Sequence, residues 1–437
     1  MTAHVSRRSF FGATAGAMAL VASAAASTSP AFASTRAVAN GRLIPDRRVG
    51  TILYTQRDAI SRQGIHGNPA PTMGHLGGPT FPDDVNDLGP LVPLPGGFLE
   101  VFEYLASVGY SQIEFAGLGQ NAANRGGTAP NLGSVNNPAN LYANRAAYLT
   151  YIRGLRGFLD ATGLRAIGNH GYIPTSWDGP GSPSVGGSPA GTMNPFERDR
   201  FQLELEAAAI LGMEFTGTGN DPTSANNRNV EAWDLAAEKW LALNAMGRRL
   251  RVSVYPHNHS PAYNFIADGP MVEVTVDRIT GAPLAAPVMV RGESPTRLME
   301  HYLKRTDRTC PIELDIFWGH VANHQHRWYF DHDGQRRENI FDPTAFAARE
   351  GMRIPLFHAK DGDHTGAEPG VGNGYNIVPF GDASSDIDFE RFFRSYRPKG
   401  QMNPNYEQDN APGGATDPGR SLRNSRFSAG HMLNLRG

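Results

Sequence analysis

The sequence predicts an α/β chain closed into a (β/α)8 TIM barrel, a single domain with long loop insertions. Short apolar, β-branched runs alternate with amphipathic helical segments about eight times over roughly 390 residues, a pattern of parallel strands covered by crossover helices. No Gly-x-Gly-x-x-Gly follows the first strand and no Walker sequence occurs, so an open nucleotide-binding sheet loses support. Hydrophobic residues are 40% and charged residues 19%, with 50 Gly and 32 Pro, which excludes a membrane-embedded protein, a coiled coil and a mostly disordered chain.

Residues 49–55 (VGTILYT) read as the first strand. Phe98, Val101, Phe102, Leu105 and Val108 recur at helical spacing, and Gly109 ends that helix. Residues 112–116 (QIEFA) form the second strand. Residues 144–162 carry Ala147, Tyr148, Tyr151, Leu155 and Leu159 on one helical face, and a strand at 164–169 follows Gly163. Asn194 and Pro195 open a helix that runs through Leu203, Ala207 and Leu211 to Gly212. A strand at 214–217, a helix at 229–246, a strand at 251–257, a helix at 295–305 and a strand at 312–317 continue the alternation. A short helix at 343–349, a strand at 354–360, a helix at 386–396, a strand at 405–409 and a helix at 421–433 complete it. Three insertions stand on this frame: the Gly- and Pro-rich stretches 64–95 and 174–192, and a small hairpin within 268–292. Long loops in a compact domain often serve as lids or binding loops.

Forty Lys+Arg against 42 Asp+Glu give a net charge of -2, so no global basic field is present to hold a nucleic-acid backbone. Lys occurs only at 239, 304, 360 and 399, which makes the surface Arg-rich. Cys310 is the only cysteine, excluding an intramolecular disulfide and a Cys-based zinc knuckle. The N-terminus reads as a targeting segment: a positive pair (Arg7, Arg8), an Ala/Gly-rich apolar run, and the small-x-small site Ala31-Phe32-Ala33. The arginine pair followed by Phe10 and Phe11 resembles a twin-arginine export signal. The expected organisation is a signal peptide at 1–33, a linker at 34–48 and the barrel at 49–437. Residues 1–33 hold two arginines and no acid, so the remainder carries 38 against 42, or -4. That describes a mildly acidic, soluble protein, exported through the twin-arginine machinery to the periplasm or beyond and free of the membrane after cleavage.

The strand ends carry the polar residues Glu114, His170, His257, His259, Asp315, His358, Lys360, Asp361 and Glu407. In a barrel these positions converge on one mouth. Carboxylates and imidazoles arriving from different strands suit one divalent ion such as Mn, Mg, Co or Zn. His257 and His259 are two apart, so both face one side if the strand stays extended. Four more histidines (320, 324, 326 and 332) fall in 319–342, read as a solvated loop rather than a second metal site. The aromatic residues Trp328, Tyr329 and Phe330 of that loop, with Trp177 and Trp318, suit either sugar stacking or packing.

Six stretches resemble the xylose isomerase-like TIM-barrel superfamily of sugar phosphate isomerases and epimerases, in the branch whose fifth strand ends in His-Asn-His. They are 49–58 (VGTILYTQRD), 98–116 (FLEVFEYLASVGYSQIEFA), 255–265 (YPHNHSPAYNF), 313–318 (ELDIFW), 355–362 (PLFHAKDG) and 406–409 (YEQD). The resemblance implies a metal held by Asp315, His358 and Glu407, with His257 standing where the epimerases have a Glu and His259 a further candidate ligand. Asn264 occupies the place where related His-Asn-His sequences carry a Glu, and Trp318 replaces a substrate-contacting His. Of the two glutamates that family epimerases use to exchange a proton, only Glu407 is kept. One-base chemistry beside a metal-bound carbonyl therefore fits better: isomerisation, elimination or hydration of a sugar or 3-keto-glycoside. On this reading Glu407, His257 and Lys360 are catalytic, and Glu114, His170, Trp318 and His364 bind substrate.

Two other functions compete with a sugar isomerase, epimerase or lyase. An endonuclease-like phosphodiesterase shares the barrel but needs a basic groove and a richer His/Glu set. A non-catalytic barrel that binds a carbohydrate fits the missing Glu.

Overall fold

The computed structural model describes residues 41–62, 71–78, 84–119, 129–175, 193–396 and 401–437. The expected signal peptide, residues 34–40 of the linker, Trp177 and parts of the two Gly- and Pro-rich insertions lie outside the described residues.

Eight strands form the frame: β1 (Gly50–Ile52), β2 (Gln112–Phe115), β3 (Arg165–Asn169), β4 (Phe215–Thr218), β5 (Ser253–Pro256), β6 (Glu313–Asp315), β7 (Leu356–Ala359) and β8 (Asn403–Tyr406). Six are bonded in the order β6–β7–β8–β1–β2–β3, and β4 pairs with β5; every one of these ladders is parallel. A parallel bridge between His170 and Gly217 joins β3 to β4, with Gly171 N–H donating to the Gly217 carbonyl at 2.8 Å. Between β5 and β6 the described residues show no backbone ladder, and the Asn258 side chain spans the gap. Its Oδ1 accepts from Asp315 N–H at 3.0 Å, and its Nδ2 donates to the Asp315 carbonyl at 3.4 Å. The strand order is that of a (β/α)8 barrel.

Helices follow the strands: α1 (Arg57–Ser61), α2 (Gly97–Ser107), α3 (Ala139–Thr162), α4 (Pro195–Leu211), α5 (Val230–Gly247), α6 (Leu298–Arg305), α7 (Ile316–Gln325), α8 (Pro343–Glu350), α9 (Phe389–Tyr396) and α10 (Arg420–Asn434). Their ends obey local chemistry. Asn194 Oδ1 accepts from Phe196 N–H at 2.9 Å ahead of Pro195, and α4 stops at Gly212, whose φ of 76° a Cβ would disfavour. Asp342 caps α8 through Thr344 and Ala345 N–H. The apolar stripe of α2 (Phe98, Val101, Phe102, Leu105) is buried, with Phe98 and Phe102 packed against Phe115 of β2. None of the described helices is long and apolar enough to cross a membrane.

Three expectations change in detail. The run at 312–317 is strand only through Asp315, because the Asp315 carboxylate accepts from Trp318 N–H at 2.9 Å and so caps α7. The small hairpin within 268–292 is a longer arm, with Phe265–Val276 antiparallel to Pro283–Arg297. The stretch 319–342 is not an open loop. It continues α7 and then forms the hairpin Trp328–Phe330 with Arg336–Glu338, whose Tyr329 ring packs 4.5 Å from Phe265.

Candidate metal centre

Strand alternation delivers the site. Glu313 and Asp315 are two apart on β6 and point to the same face. His358 lies on β7 in register with Asp315, and Asn405 on β8 is in register with His358. His170, His257, Lys360 and Glu407 follow the last residues of β3, β5, β7 and β8. The His170, His257 and His358 rings converge, with centroids 4.6 to 5.2 Å apart.

Around them the contacts fall into two levels. At the deeper one, His170 Nε2 lies 2.7 Å from Glu313 Oε2, and His257 Nδ1 lies 3.3 Å from the same oxygen. His358 Nε2 faces Glu313 Oε1 at 3.3 Å and Glu114 Oε2 at 3.2 Å. Glu114 is fixed from below by the Tyr255 hydroxyl and by Asn405 Nδ2, which donates at 3.0 Å. Glycine at 168 leaves room for this pair, since a Cβ there would stand 3.1 Å from both Glu114 Oε1 and the Tyr255 oxygen. At the outer level, Lys360 Nζ sits 3.0 Å from Asp315 Oδ2, 2.7 Å from Glu407 Oε2 and 3.2 Å from Asp409 Oδ2. His358 Nδ1 lies 2.7 Å from Glu407 Oε2.

Two sets of ligand atoms therefore lie within 4.8 Å of one another: His170, His257, Glu313 and His358, and Asp315, His358 and Glu407. Asp315 Oδ2, His358 Nδ1 and Glu407 Oε2 meet ion pairs with Lys360 and with one another, whereas His257 Nδ1 and Glu313 Oε1 are buried without a hydrogen-bond partner. Several kilocalories are at stake when such atoms stay unpartnered, and a divalent ion resolves them. The mixed N/O donors fit a borderline or hard cation.

Electrostatics distinguishes these groups. Burial pushes the Glu114 carboxyl up, but His170 and His358 outweigh it and hold Glu114 at about 2. Burial and then the Glu114 charge push Glu313 well above the usual carboxylate range. Burial lowers His170 to about 4 and depresses His257 well below the usual imidazole value. Burial also works against the charged form of His358, yet Glu313 and Glu407 raise it well above the ordinary value. Lys360 is likewise raised, because Asp315 and Glu407 overcome its burial. Burial alone would raise Glu407, and His358 and Lys360 hold it well below the carboxylate range.

Of the residues singled out in the sequence, the barrel brings Glu114, His170, His257, Asp315, His358, Lys360 and Glu407 together. His259 belongs to neither ligand set; its ring stands edge-on to His257 and Trp318, and its N–H donates to Asp221 Oδ1 at 2.8 Å. Trp318 forms a wall of the site, with Lys360 Nζ 5.3 Å from its ring centroid. His364 lies apart, exposed on the strand Asp361–His364 against Tyr375 and His324. Asp361 turns away to accept from Gly362, Gly381 and Ser385. The four histidines of 319–342 separate: His320 bonds the Ile316 carbonyl, His324 the Val371 carbonyl and His332 Asp268, while His326 is half-buried near Arg297. A cleft of about 620 Å³ opens beside His259, lined by Thr218, Asn220, Asp221, Lys239 and Trp240 among others. Sequence reasoning missed Glu313 and Tyr255. The signal for Glu313 was the two-residue strand period, which puts it on the Asp315 face.

No family model and no curated protein matches the sequence. Among solved structures, a sugar phosphate isomerase/epimerase from Parabacteroides distasonis is 15% identical over 78% of this chain and 89% of its own, with a TM-score of 0.46. A 3-keto-D-glucoside 4-epimerase from E. coli is 13% identical over 86% and 97%, with a TM-score of 0.40. An IOLI protein with a bound zinc atom is 8% identical over 89% and 99%, with a TM-score of 0.48. Likenesses with scores below 0.5 decide nothing about chemistry, and the barrel rests on its own strand order.

Proposed function

We propose that the chain is an exported, divalent-metal-dependent enzyme of the xylose isomerase-like kind, which moves a proton next to the carbonyl of a sugar or keto-glycoside. Isomerisation, epimerisation and elimination or hydration are the outcomes such a step allows. The observation that supports this reading is the buried cluster of His170, His257, His358, Glu313, Asp315 and Glu407, in which His257 Nδ1 and Glu313 Oε1 have no hydrogen-bond partner. A divalent ion bound in that cluster supplies Lewis acidity, polarising a carbonyl and stabilising negative charge on its oxygen.

The chain's own residues supply the rest. Glu407, held ionised between His358 and Lys360, takes the proton from the carbon next to the carbonyl. Lys360 keeps its ammonium between three carboxylates and donates toward the developing oxyanion. Trp318 offers an apolar face for the sugar ring. Glu114 acts from below: held by Tyr255 and Asn405, it fixes the His358 ring. Residues 1–33 direct the folded protein through the twin-arginine pathway. A keto-glycoside suits an exported enzyme better than a sugar phosphate, and no Gly-rich phosphate loop occurs in the sequence.

The test is proton exchange. The metal-loaded protein is incubated in D2O with a panel of free sugars and 3-keto-glycosides and followed by proton NMR. Loss of a carbon-bound proton beside the carbonyl, abolished in Glu407→Gln, is the expected result. Sugar binding without exchange in any substrate would instead support a non-catalytic carbohydrate-binding barrel.

A further inference from the structure

The two ligand sets share His358 but differ in what already neutralises them. Asp315 Oδ2 and Glu407 Oε2 each lie within 3.0 Å of the Lys360 ammonium. That cation is itself buried, and Asp409 holds it from a third side. A dication placed against the same two oxygens would face a positive charge a few ångströms away in a water-poor interior, where the repulsion is poorly screened. The deeper set has no such cation. The ion pairs of Glu313 and Glu114 are with imidazoles only, and among the described residues no Lys or Arg reaches either carboxylate.

His358 Nε2 faces both carboxylates, Glu114 Oε2 at 3.2 Å and Glu313 Oε1 at 3.3 Å, so among the described residues these carboxylates meet imidazoles and no lysine or arginine. His257 Nδ1 and Glu313 Oε1 are fully enclosed and lack hydrogen-bond partners. Both residues belong to the set that offers ligand atoms within 4.8 Å of one another. His170 keeps 14% of its side chain exposed, whereas the other three residues of this set are buried.

We propose that the divalent ion is held by His170, His257, Glu313 and His358, and that the Lys360 ammonium occupies the second set in place of an ion. Three imidazoles and one carboxylate are a nitrogen-rich donor set, which favours Zn²⁺, Co²⁺, Fe²⁺ or Mn²⁺ over Mg²⁺. Lys360 and Glu407 then stand on the substrate side as a fixed acid and base pair. This assignment rests on the reading that an ion is bound at all, and it names the residues that bind it.

The test uses the full folded chain, stripped with a chelator, reloaded with Co²⁺, desalted and analysed by mass spectrometry and visible absorption. Wild type is expected to hold about one equivalent with the intense visible bands of a low-coordinate, nitrogen-rich site. Glu313→Gln is expected to lose affinity by at least about ten-fold, and Glu407→Gln to keep it. Lys360→Met is expected to keep the first equivalent and take up a second, because Asp315 and Glu407 are released. Should Glu313→Gln fail to fold by circular dichroism, His170→Gln, at the open edge of the set, takes its place with the same expectation. Loss of cobalt in Glu407→Gln with retention in Glu313→Gln overturns the assignment, as does equal weakening in both. A wild type that binds no cobalt, zinc or manganese overturns the metal-dependent function itself, which separates the two failures.

Discussion

Asn258 pairs with Asp315 as one peptide group pairs with another: Oδ1 takes the Asp315 N–H and Nδ2 reaches the Asp315 carbonyl. The side chain thereby does across β5 and β6 what a backbone ladder does elsewhere in the barrel. It also fixes the backbone of a residue whose carboxylate caps α7 and holds Lys360. Asn258→Ala leaves the buried Asp315 N–H without its partner, and is expected to cost about 1–3 kcal/mol. Urea unfolding followed by far-ultraviolet circular dichroism measures it, and a loss below about 0.5 kcal/mol would contradict the role of the seam.

Removing the Lys360 charge strands Asp315, Glu407 and Asp409. In chelator-treated protein at pH 8, Lys360→Met is expected to lose about 3–5 kcal/mol. In wild type, burial raises Glu407 but His358 and Lys360 hold it well below the carboxylate range. Its contribution is therefore complete above the unfolded value of about 4.3 and is lost only as pH falls below it. Without Lys360 the order reverses. The stranded carboxylates bind protons more tightly folded than unfolded, so the variant regains stability as pH drops from 8 toward 5. Chemical denaturation across that range is expected to show the gap between variant and wild type shrinking toward pH 5, and a constant gap would count against the ion pair.

Asp221 gives a second pH signature. Burial pushes its carboxyl up to about 7, with the His259 N–H donating to it as the opposing influence. A folded value above the unfolded one of about 3.9 means that stability is greatest at low pH and declines as pH rises through about 7. Asp221→Asn keeps the acceptor for His259 N–H and removes the charge. The variant is expected to melt above wild type at pH 8, by less at pH 5, and level with it only below about pH 4. A constant offset at both pH values would contradict the assignment.

Gly219 borders His170 closely: a Cβ there would stand 2.6 Å from His170 Nδ1. Gly219→Ala forces the imidazole to tilt, so cobalt affinity is expected to fall by about ten-fold while the fold is kept. A titration followed by visible absorption measures this, and unchanged affinity would remove His170 from the donor set.

Much of the barrel was legible because each strand is a short apolar run bounded by Gly, Pro or Asn, and each helix shows its stripe. The end of β6 was misplaced by two residues because Ile316 and Phe317 look like strand, whereas the capping carboxylate of Asp315 decides the boundary. The site was legible where chemistry sits at strand ends, as with Asp315, His358 and Glu407. Glu313 was passed over because it lies one period deeper in the same strand. Tyr255 and the Asn258 bridge depend on partners in other strands, Glu114 and Asp315, and local periodicity carries no trace of such pairings. The aromatic run Trp328–Phe330 suggested a loop, and its strand pairing with Arg336–Glu338 emerges only when it packs on the long arm.

The central claim is that the barrel holds a divalent ion. Mass spectrometry of the metal content of purified wild-type protein tests it most directly. About one equivalent of Mn, Co, Zn or Mg, removable by chelator and restored on reloading, is the expected result. No metal in the purified protein and none taken up on soaking would contradict it and leave a barrel that binds carbohydrate without catalysis.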